Sequence, residues 1–314
     1  MLVRSKNNYV ISHYFKNQLI ASHNKTSIMN VKHLGLLILV LLAFSANSLL
    51  CRLALLPNQE TLIDPSSFTL IRLLSGAIVL SIISSLRTRS FNMPNAIHIR
   101  GAIYLFVYAA AFSFAYISLA AGTGALILFG TVQITIIFVS LMSGKRLNNL
   151  EWLGCFFAIA GLLVLTWADI SLTQSNQLLF MLLAGIAWGL FTLNGMGSQE
   201  PIVDMSLCFM LCVPMSLVLL LASLWLQTTN ITQLGIIYAV LSGALASGIG
   251  YSLWYWLLPS LTSAQAGTSQ LLVPVIAAIG GAIFLNEALT FTFFIAAAIT
   301  LSGVAMVIYS KQRS

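Results

Sequence analysis

The sequence predicts an all-α polytopic membrane protein with about ten transmembrane helices, arranged as two inverted five-helix repeats. Hydrophobic residues make up 59% of the 314 residues, and the mean hydropathy is +0.97. Charged residues make up only 7%, against about a quarter in soluble domains. Apolar runs of about 20 residues, the length that crosses a hydrocarbon core, recur from one end of the chain to the other.

The apolar runs define the predicted spans and leave only short connections between them. Barrel strands are excluded because the runs are too long and too uniformly apolar, and the short connections leave no room for a separate soluble domain. The predicted spans are Leu34 to Leu50, Ser67 to Leu86, Ile99 to Ala121, Gly124 to Ser143, Trp152 to Trp167, Leu178 to Met196, Met205 to Leu226, Leu234 to Leu257, Ser263 to Leu285 and Phe291 to Tyr309.

The two halves of the chain match at an offset of 142 residues, which pairs ALILFGTVQITIIFVSLMSGKRLN with GTSQLLVPVIAAIGGAIFLNEALT. The match rests on hydropathy, spacing and a polar break, where Lys145 pairs with Glu287; the same offset pairs Gly161 with Gly303. An odd number of spans per half makes the second half enter the membrane from the opposite side. We therefore divide the chain into an N-terminal arm (1–32), a first repeat (33–169), a second repeat (170–310) and a cytoplasmic tail (311–314).

The N-terminal arm is polar and basic and does not have the pattern of a signal peptide. Met29 directly precedes the first apolar run, and we favour the interpretation that translation starts there. We therefore expect a chain beginning at Met29 to insert and work as well as the full one. The alternative is that the arm contacts anionic lipid headgroups.

The charged residues predict the orientation in the membrane. The acids Glu60, Asp64, Asp169 and Glu287 fall on one side of the predicted membrane, together with Arg52. The other basic residues in loops and termini fall on the opposite side: Arg4, Lys6, Lys16, Lys25, Lys32, Arg87, Arg89, Arg100, Lys145, Arg146, Lys311 and Arg313. Because Lys and Arg mark cytoplasmic loops, we predict a multi-pass protein of the plasma membrane (a bacterial inner membrane) with both termini in the cytoplasm. The net charge of +7 is then a topology signal, and no nucleic-acid partner is expected.

The C-terminal part of the chain resembles EamA-type members of the drug/metabolite transporter superfamily. The resemblance rests on a proline within the ninth span (Pro274), the break from Glu287 to Leu289, and Gly303 in the last span. LLAGIAWGLF resembles the opening helix of the second family repeat, and TLIRLLSGAIVL resembles its Arg-bearing second helix. The resemblance covers about residues 34 to 310 and implies the ten-helix fold and transport of a small solute. The first half departs from the pattern, with Val132 and Lys145 where the family has Pro and Glu.

Arg72 is the only charge that the sequence places clearly inside a span. A buried charge is costly unless it faces protein, water or a ligand, so a functional role is a fair default. The alternative is that Arg72 snorkels outwards to Asp64 or Glu60.

Neutral polar and aromatic residues complete the predicted substrate-binding set. Such side chains can hydrogen-bond a solute or wall its site, and they can equally join neighbouring helices. Gln133 is of special interest because it lies near the middle of the helix paired with that of Pro274, where we predict a helix break. The predicted substrate-binding residues are Asn47, Arg72, Gln133, Trp188, Asn194, Tyr251, Trp254, Gln265 and Gln270.

These patterns favour a secondary transporter of small organic solutes, as the family resemblance implies, and among such transporters an exporter of amino acids or related metabolites. The alternative is an integral membrane enzyme such as a lipid-modifying transferase. An enzyme would need catalytic side chains at the membrane surface, and the loops hold no such set, so we expect no catalytic residues, metal or cofactor. The expected partners are the solute and membrane lipids. The oligomeric state stays open, a homo-oligomer included.

Overall fold

The computed structural model describes residues 31–56, 62–87, 93–142, 149–169, 175–195, 198–257, 269–270 and 272–310. Several features of the sequence analysis therefore lie outside the described residues: the N-terminal arm before residue 31, Glu60, Lys145, Gln265 and the C-terminal tail. The helices are α1 (Val31–Leu55), α2 (Pro65–Arg87), α3 (Ala96–Ala115), α4 (Ala121–Met142), α5 (Asn149–Asp169), α6 (Ser175–Gly195), α7 (Pro201–Trp225), α8 (Gln233–Leu257), α9 (Leu272–Leu285) and α10 (Phe291–Ser310).

The helices have the length and composition of membrane spans. Within the described part of the chain, seven helices are long and apolar enough to cross a membrane, and α5, α9 and α10 contain shorter apolar segments. The β structure described there is one isolated bridge, between Ile63 and Ile231. The predicted all-helical polytopic fold with about ten helices is confirmed.

Several helix ends differ from the predicted spans because polar residues cap them. Asp64 Oδ1 accepts the backbone N–H groups of Ser66 and Ser67, at 3.0 Å each, so α2 begins at Pro65, before the predicted Ser67. Asn95 caps α3, which therefore begins at Ala96. The third span was predicted to be helical as far as Ala121, but the helix ends at Ala115. Hydropathy does not distinguish a helix from the apolar turn after it.

The pairing of helices has the two-fold reciprocity of an inverted repeat. Helix α2 packs on α7, α4 on α9 and α5 on α10, which are equivalent helices of the two halves. Three further contacts each have a counterpart when the two halves are exchanged. The contact of α3 with α6 corresponds to that of α8 with α1, the contact of α4 with α6 to that of α9 with α1, and the contact of α3 with α7 to that of α8 with α2. Each half therefore supplies the same set of surfaces to the other.

The α5–α10 contact repeats this reciprocity residue by residue. A Cβ added to Gly161 would lie 2.6 Å from the Thr300 nitrogen and 2.9 Å from the Ala296 oxygen. A Cβ added to Gly303 would lie 2.5 Å from both the Ala158 nitrogen and the Gly154 oxygen. These contacts interchange at the offset of 142 residues that the sequence showed. The close approach of the two helices depends on both glycines.

Helix α8 changes its winding in the middle of the bundle. It is α-helical over Gln233–Val240, a π-helix over Leu241–Ile249, and α-helical again over Gly250–Leu257. The π segment packs against α2, and a Cβ on Gly243 would overlap the Arg72 carbonyl oxygen. π segments are rare and often occur at functional sites, and this one lies beside the buried Arg72.

Candidate functional site

A cavity of about 100 Å³ lies between the two repeats. Its walls come from α1, α3 and α4 of the first half and from α6, α7 and α8 of the second, with Gln270 ahead of α9. We call the end of the bundle where α1 ends and α2 begins the Asp64 end, and the opposite end, where α3 begins, the His98 end. The cavity is thus a shared site of both halves, where carriers built from inverted repeats hold their solutes.

Stacked aromatic rings form one wall of the cavity. Trp188 on α6 lies 4.6 Å from the Tyr108 ring, 5.4 Å from Phe191 and 5.3 Å from Tyr251, measured between ring centroids, and is stacked on Tyr251 at 26°. Phe44 on α1 extends this wall, 5.6 Å from Tyr251. Packed rings give an apolar surface of defined shape, so this wall suits the apolar body of a small solute.

A polar cluster lies on the other side of Tyr108. We call it the Tyr108 cluster, and it consists of Asn47, Arg72, Tyr108 and Ser242. The Tyr108 hydroxyl accepts hydrogen bonds from Arg72 Nη2 at 3.1 Å and from Asn47 Nδ2 at 3.3 Å. Ser242 Oγ donates to Asn47 Oδ1 at 2.6 Å. The cluster joins α1, α2, α3 and the π segment of α8 across the two halves.

Arg72 is buried behind the cavity wall and does not reach the bundle surface. Its side chain is 2% exposed, and its guanidinium carbon lies 5.3 Å from the Tyr108 ring centroid and 4.8 Å from that of Phe112. Within the described residues no carboxylate contacts it, and its Nε and Nη1 atoms are buried without a hydrogen-bond partner. Asp64, one of the two acids considered as its partner, caps α2 instead. An unpaired guanidinium in an apolar bundle is costly, which makes this position unusual.

The structure brings some of the predicted site residues together and separates others. Trp188, Tyr251, Trp254, Asn47 and Gln270 line the cavity, and Arg72 lies directly behind it.

Gln133, Asn194 and Pro274 lie elsewhere. Gln133 is half-buried on α4 but does not line the cavity. Asn194 Nδ2 donates to the Ile97 carbonyl at 3.0 Å, so it joins α6 to α3 at the His98 end. Pro274 is buried near the start of the described part of α9, two residues after Leu272, and it does not line the cavity. The described helix is continuous from Leu272 to Leu285, and the break at Pro274 stays a prediction because residues 258–268 and 271 lie outside the described residues.

Sequence reasoning missed Tyr108, which is the centre of the site. Tyr108 and Phe112 on α3 and Tyr116 at its C-cap recur every four residues, and this spacing places them along one face of the helix. The rings of Tyr108 and Phe112 are 5.4 Å apart, and those of Phe112 and Tyr116 are 4.7 Å apart. This aromatic stripe was the signal in the sequence that pointed to the residue.

A second buried arginine lies at the Asp64 end and was missed as an intramembrane charge. Arg52 belongs to the last turn of α1 rather than to a loop. Its Nε donates to Glu287 Oε1 at 3.0 Å, and its Nη1 donates to the carbonyls of Tyr116 at 3.0 Å and Ile117 at 2.7 Å. Glu287 Oε2 accepts the Ala121 N–H at 2.8 Å. We call the Arg52–Glu287 pair with these backbone bonds the Arg52 clasp.

The turn after α9 positions Glu287 for this clasp. Asn286 has a φ of 52°, the left-handed conformation that asparagine tolerates at a helix end. The Glu287 N–H then donates back to the Gly281 carbonyl at 3.1 Å, which closes the end of the helix. The clasp thus ties α1, the α3–α4 connection and the end of α9 together.

The His98 end has a polar contact of its own, between α3 and α7. The Asn95 N–H donates to His98 Nδ1 at 3.0 Å, so this ring nitrogen carries no hydrogen. His98 Nε2 therefore carries the hydrogen and donates it to Asp204 Oδ1 at 2.9 Å. The contact joins α3 to α7, and His98 belongs to the first turn of α3.

Known proteins similar to this chain agree with this architecture. Residues 176–309 match the EamA-like transporter family. An uncharacterized protein of Pseudomonas aeruginosa is 45% identical over 273 residues, which are 87% of this chain and 93% of that protein. A protein of known crystal structure is similar to 90% of this chain with a TM-score of 0.63, covering 99% of its own chain at 16% identity; this likeness shows the fold alone. The chain therefore belongs to the EamA-like transporter family and is a multi-pass membrane transporter of small solutes.

Proposed function

We propose that this protein exports amino acids or related metabolites across the plasma membrane by alternating access. The observation that carries the proposal is the cavity between the two repeats, which has an aromatic wall on one side and a cationic polar cluster on the other. Such a site can hold a solute with an apolar part and a polar, electron-rich part. The family match favours a transporter over the membrane-enzyme alternative.

The position of the cavity along the bundle supports loading from the cytoplasm, which export requires. Its lining includes Met205, four residues after the start of α7, and Tyr255, two residues before the end of α8. Both positions lie towards the His98 end. At the Asp64 end, the Arg52 clasp and the bridge between Ile63 and Ile231 tie the helices together. If the Asp64 end faces outwards, as the charges predict, a solute enters the cavity from the cytoplasm.

A growth assay tests the proposal. A bacterial strain that is hypersensitive to toxic amino acids and analogues is grown with each of them, with and without the protein. We expect the protein to restore growth on a subset of these compounds and to lower their accumulation in the cells. The Arg72→Ala variant at a matched membrane level is the control. Unchanged growth and accumulation across all the compounds would contradict amino-acid export.

The predicted orientation needs its own test. Reporters fused after Arg89 and after Ser314 should read as cytoplasmic, and a reporter fused after Asp169 should read as external, because basic residues concentrate on the cytoplasmic side. An external reading after Ser314 would place the His98 end outside and reverse the direction of loading.

A further inference from the structure

The hydroxyls of Tyr108 and Tyr251 together leave one hydrogen available to a ligand in the cavity. Arg72 Nη2 and Asn47 Nδ2 both donate to the Tyr108 oxygen, so this oxygen acts as an acceptor on both sides. Its own hydrogen then needs an acceptor. The Tyr251 hydroxyl shares a side-chain hydrogen bond with Tyr108 and takes that hydrogen. The hydrogen of Tyr251 is then left without an acceptor among the hydrogen bonds of the described residues, and both tyrosines line the cavity. An oxygen atom of a bound solute is the acceptor that this arrangement lacks.

The Arg72 guanidinium places a positive charge next to the Tyr108 hydroxyl. Its Nε and Nη1 atoms are buried and unpartnered, and no carboxylate of the described residues contacts it. A phenol that accepts a hydrogen bond from a cation becomes a stronger donor itself, because hydrogen bonds in a chain polarise one another. The wall at Tyr108 therefore favours a negatively charged oxygen over a neutral one.

Asn47 and Ser242 hold the hydroxyl in this arrangement. Ser242 Oγ donates to Asn47 Oδ1 at 2.6 Å, which orients the amide so that its Nδ2 points at Tyr108. The two residues belong to different halves of the chain, α1 and the π segment of α8. The donor is therefore complete only while these two helices are in contact.

We propose that the cavity binds a carboxylate through the hydrogen-bonded hydroxyls of Tyr108 and Tyr251, with Arg72 as the charge behind Tyr108 and Asn47 as the residue that orients it. The aromatic wall at Trp188 and Tyr251 takes the apolar body of the same molecule. The inference rests on the proposed function, since it names the chemical group of the solute that this cavity would carry. Both an amino acid and an amine-free organic acid supply a carboxylate.

A binding experiment on the purified full chain in lipid nanodiscs tests this without measuring transport. The probes are benzoate and benzamide, which have the same ring and differ in charge, and binding is followed by tryptophan fluorescence and by the shift in thermal midpoint. We expect benzoate to bind at least about tenfold more tightly than benzamide, the size expected for a hydrogen bond to a charged group. L-leucine and L-leucinamide form a second pair, which distinguishes an amino acid from an amine-free acid as the source of the carboxylate.

Variants separate the proposed role from a merely structural one. Tyr108→Phe keeps the ring and removes the hydroxyl, and Arg72→Gln removes the charge. In each variant the affinity for benzoate should be no more than about threefold higher than that for benzamide. Arg72→Lys keeps the charge and should keep most of the ratio between the two affinities. The matched control is Tyr104→Phe, which removes a hydroxyl one turn away on α3, outside the cavity lining, and should leave the ratio unchanged.

Three results would overturn the inference. The first is equal binding of the charged and neutral probes, absence of binding included, and the second is a ratio that survives both Tyr108→Phe and Arg72→Gln. The third is tighter binding of chloride than of benzoate, which would make the site one for inorganic anions. A protein that shows the ratio but exports nothing in the growth assay would contradict the proposed function and leave this inference standing.

Discussion

Arg52 and Arg72 are both buried on adjacent helices, α1 and α2, yet their surroundings are opposite. Arg52 has a carboxylate, Glu287, and two backbone carbonyls as partners. Arg72 has one hydrogen bond, to the Tyr108 hydroxyl, and two nitrogens without partners. The chain supplies the counter-charge for the first arginine and supplies none, among the described residues, for the second. A charge that the fold neutralises serves the structure, whereas a charge left unneutralised beside a cavity is available to a ligand.

The largest effect that we expect is the loss of transport in Arg72→Ala. The variant should reach the membrane at the normal level while efflux of the identified solute falls by at least about tenfold, because the buried cation behind the cavity wall is lost. Arg72→Lys should restore transport in part, since an ammonium lacks the planar fork of a guanidinium. Efflux at matched membrane levels is the measurement. Normal efflux in Arg72→Ala would remove Arg72 from the site.

The next effect is a loss of stability when the Arg52 clasp is broken. Glu287→Gln leaves the Arg52 guanidinium without a counter-charge in a site where the two side chains are only 11% and 13% exposed. We expect a cost of about 3 kcal/mol, measured as a lower unfolding midpoint in detergent. The double variant Arg52→Met with Glu287→Leu should recover much of it, since no charge is then left unpaired. An unchanged midpoint in Glu287→Gln would show that the pair does not hold the Asp64 end together.

A smaller effect is expected from the aromatic wall. Trp188→Ala removes a ring that contacts Tyr108, Phe191 and Tyr251, and should weaken the apparent affinity for the solute by about tenfold. Gln133→Ala is the matched control, because Gln133 is polar and lies on α4 but does not line the cavity. Equal losses in the two variants would place the solute elsewhere.

The smallest effect should be that of Arg72→Met on stability. Removing an unpaired buried charge leaves no partner uncompensated, and an apolar side chain of similar length can replace it at little cost or with a gain. We expect an unfolding midpoint equal to or above that of the unchanged protein, although transport is lost. A drop as large as that of Glu287→Gln would mean that Arg72 serves the structure in the same way as Arg52.

The charges show how far sequence reasoning reached within the site. The sequence marked Arg72 as an intramembrane charge because it lies deep inside an apolar run, and the structure buries it. It assigned Arg52 and Glu287 to outer loops because each lies at the end of such a run. The two are 235 residues apart, and no local pattern relates residues at that separation. Their contact exists because α1 and α9 pack together and the Asn286 turn directs Glu287 towards α1.

The polar residues show the same limit. Asn47, Gln133 and Asn194 look alike in sequence, each being one amide in an apolar helix, but only Asn47 lines the cavity. The side on which a residue of a transmembrane helix lies cannot be read from hydropathy when the helix is apolar all round. Tyr108 was overlooked for the same reason, since an aromatic ring in such a helix is as suited to lipid or packing as to a site.

By itself the sequence determined the membrane-spanning fold, the number of helices and the register of the two repeats. These follow from composition and run length, because a backbone in lipid must satisfy its hydrogen bonds within each helix. The offset that pairs Gly161 with Gly303 is an example, since small residues allow two equivalent helices to approach closely. The tertiary structure alone decided which side chains meet: Arg72 with Tyr108, Ser242 with Asn47, and Arg52 with Glu287. Those contacts depend on the rotation and packing of helices distant in the chain, and hydropathy carries no information about either.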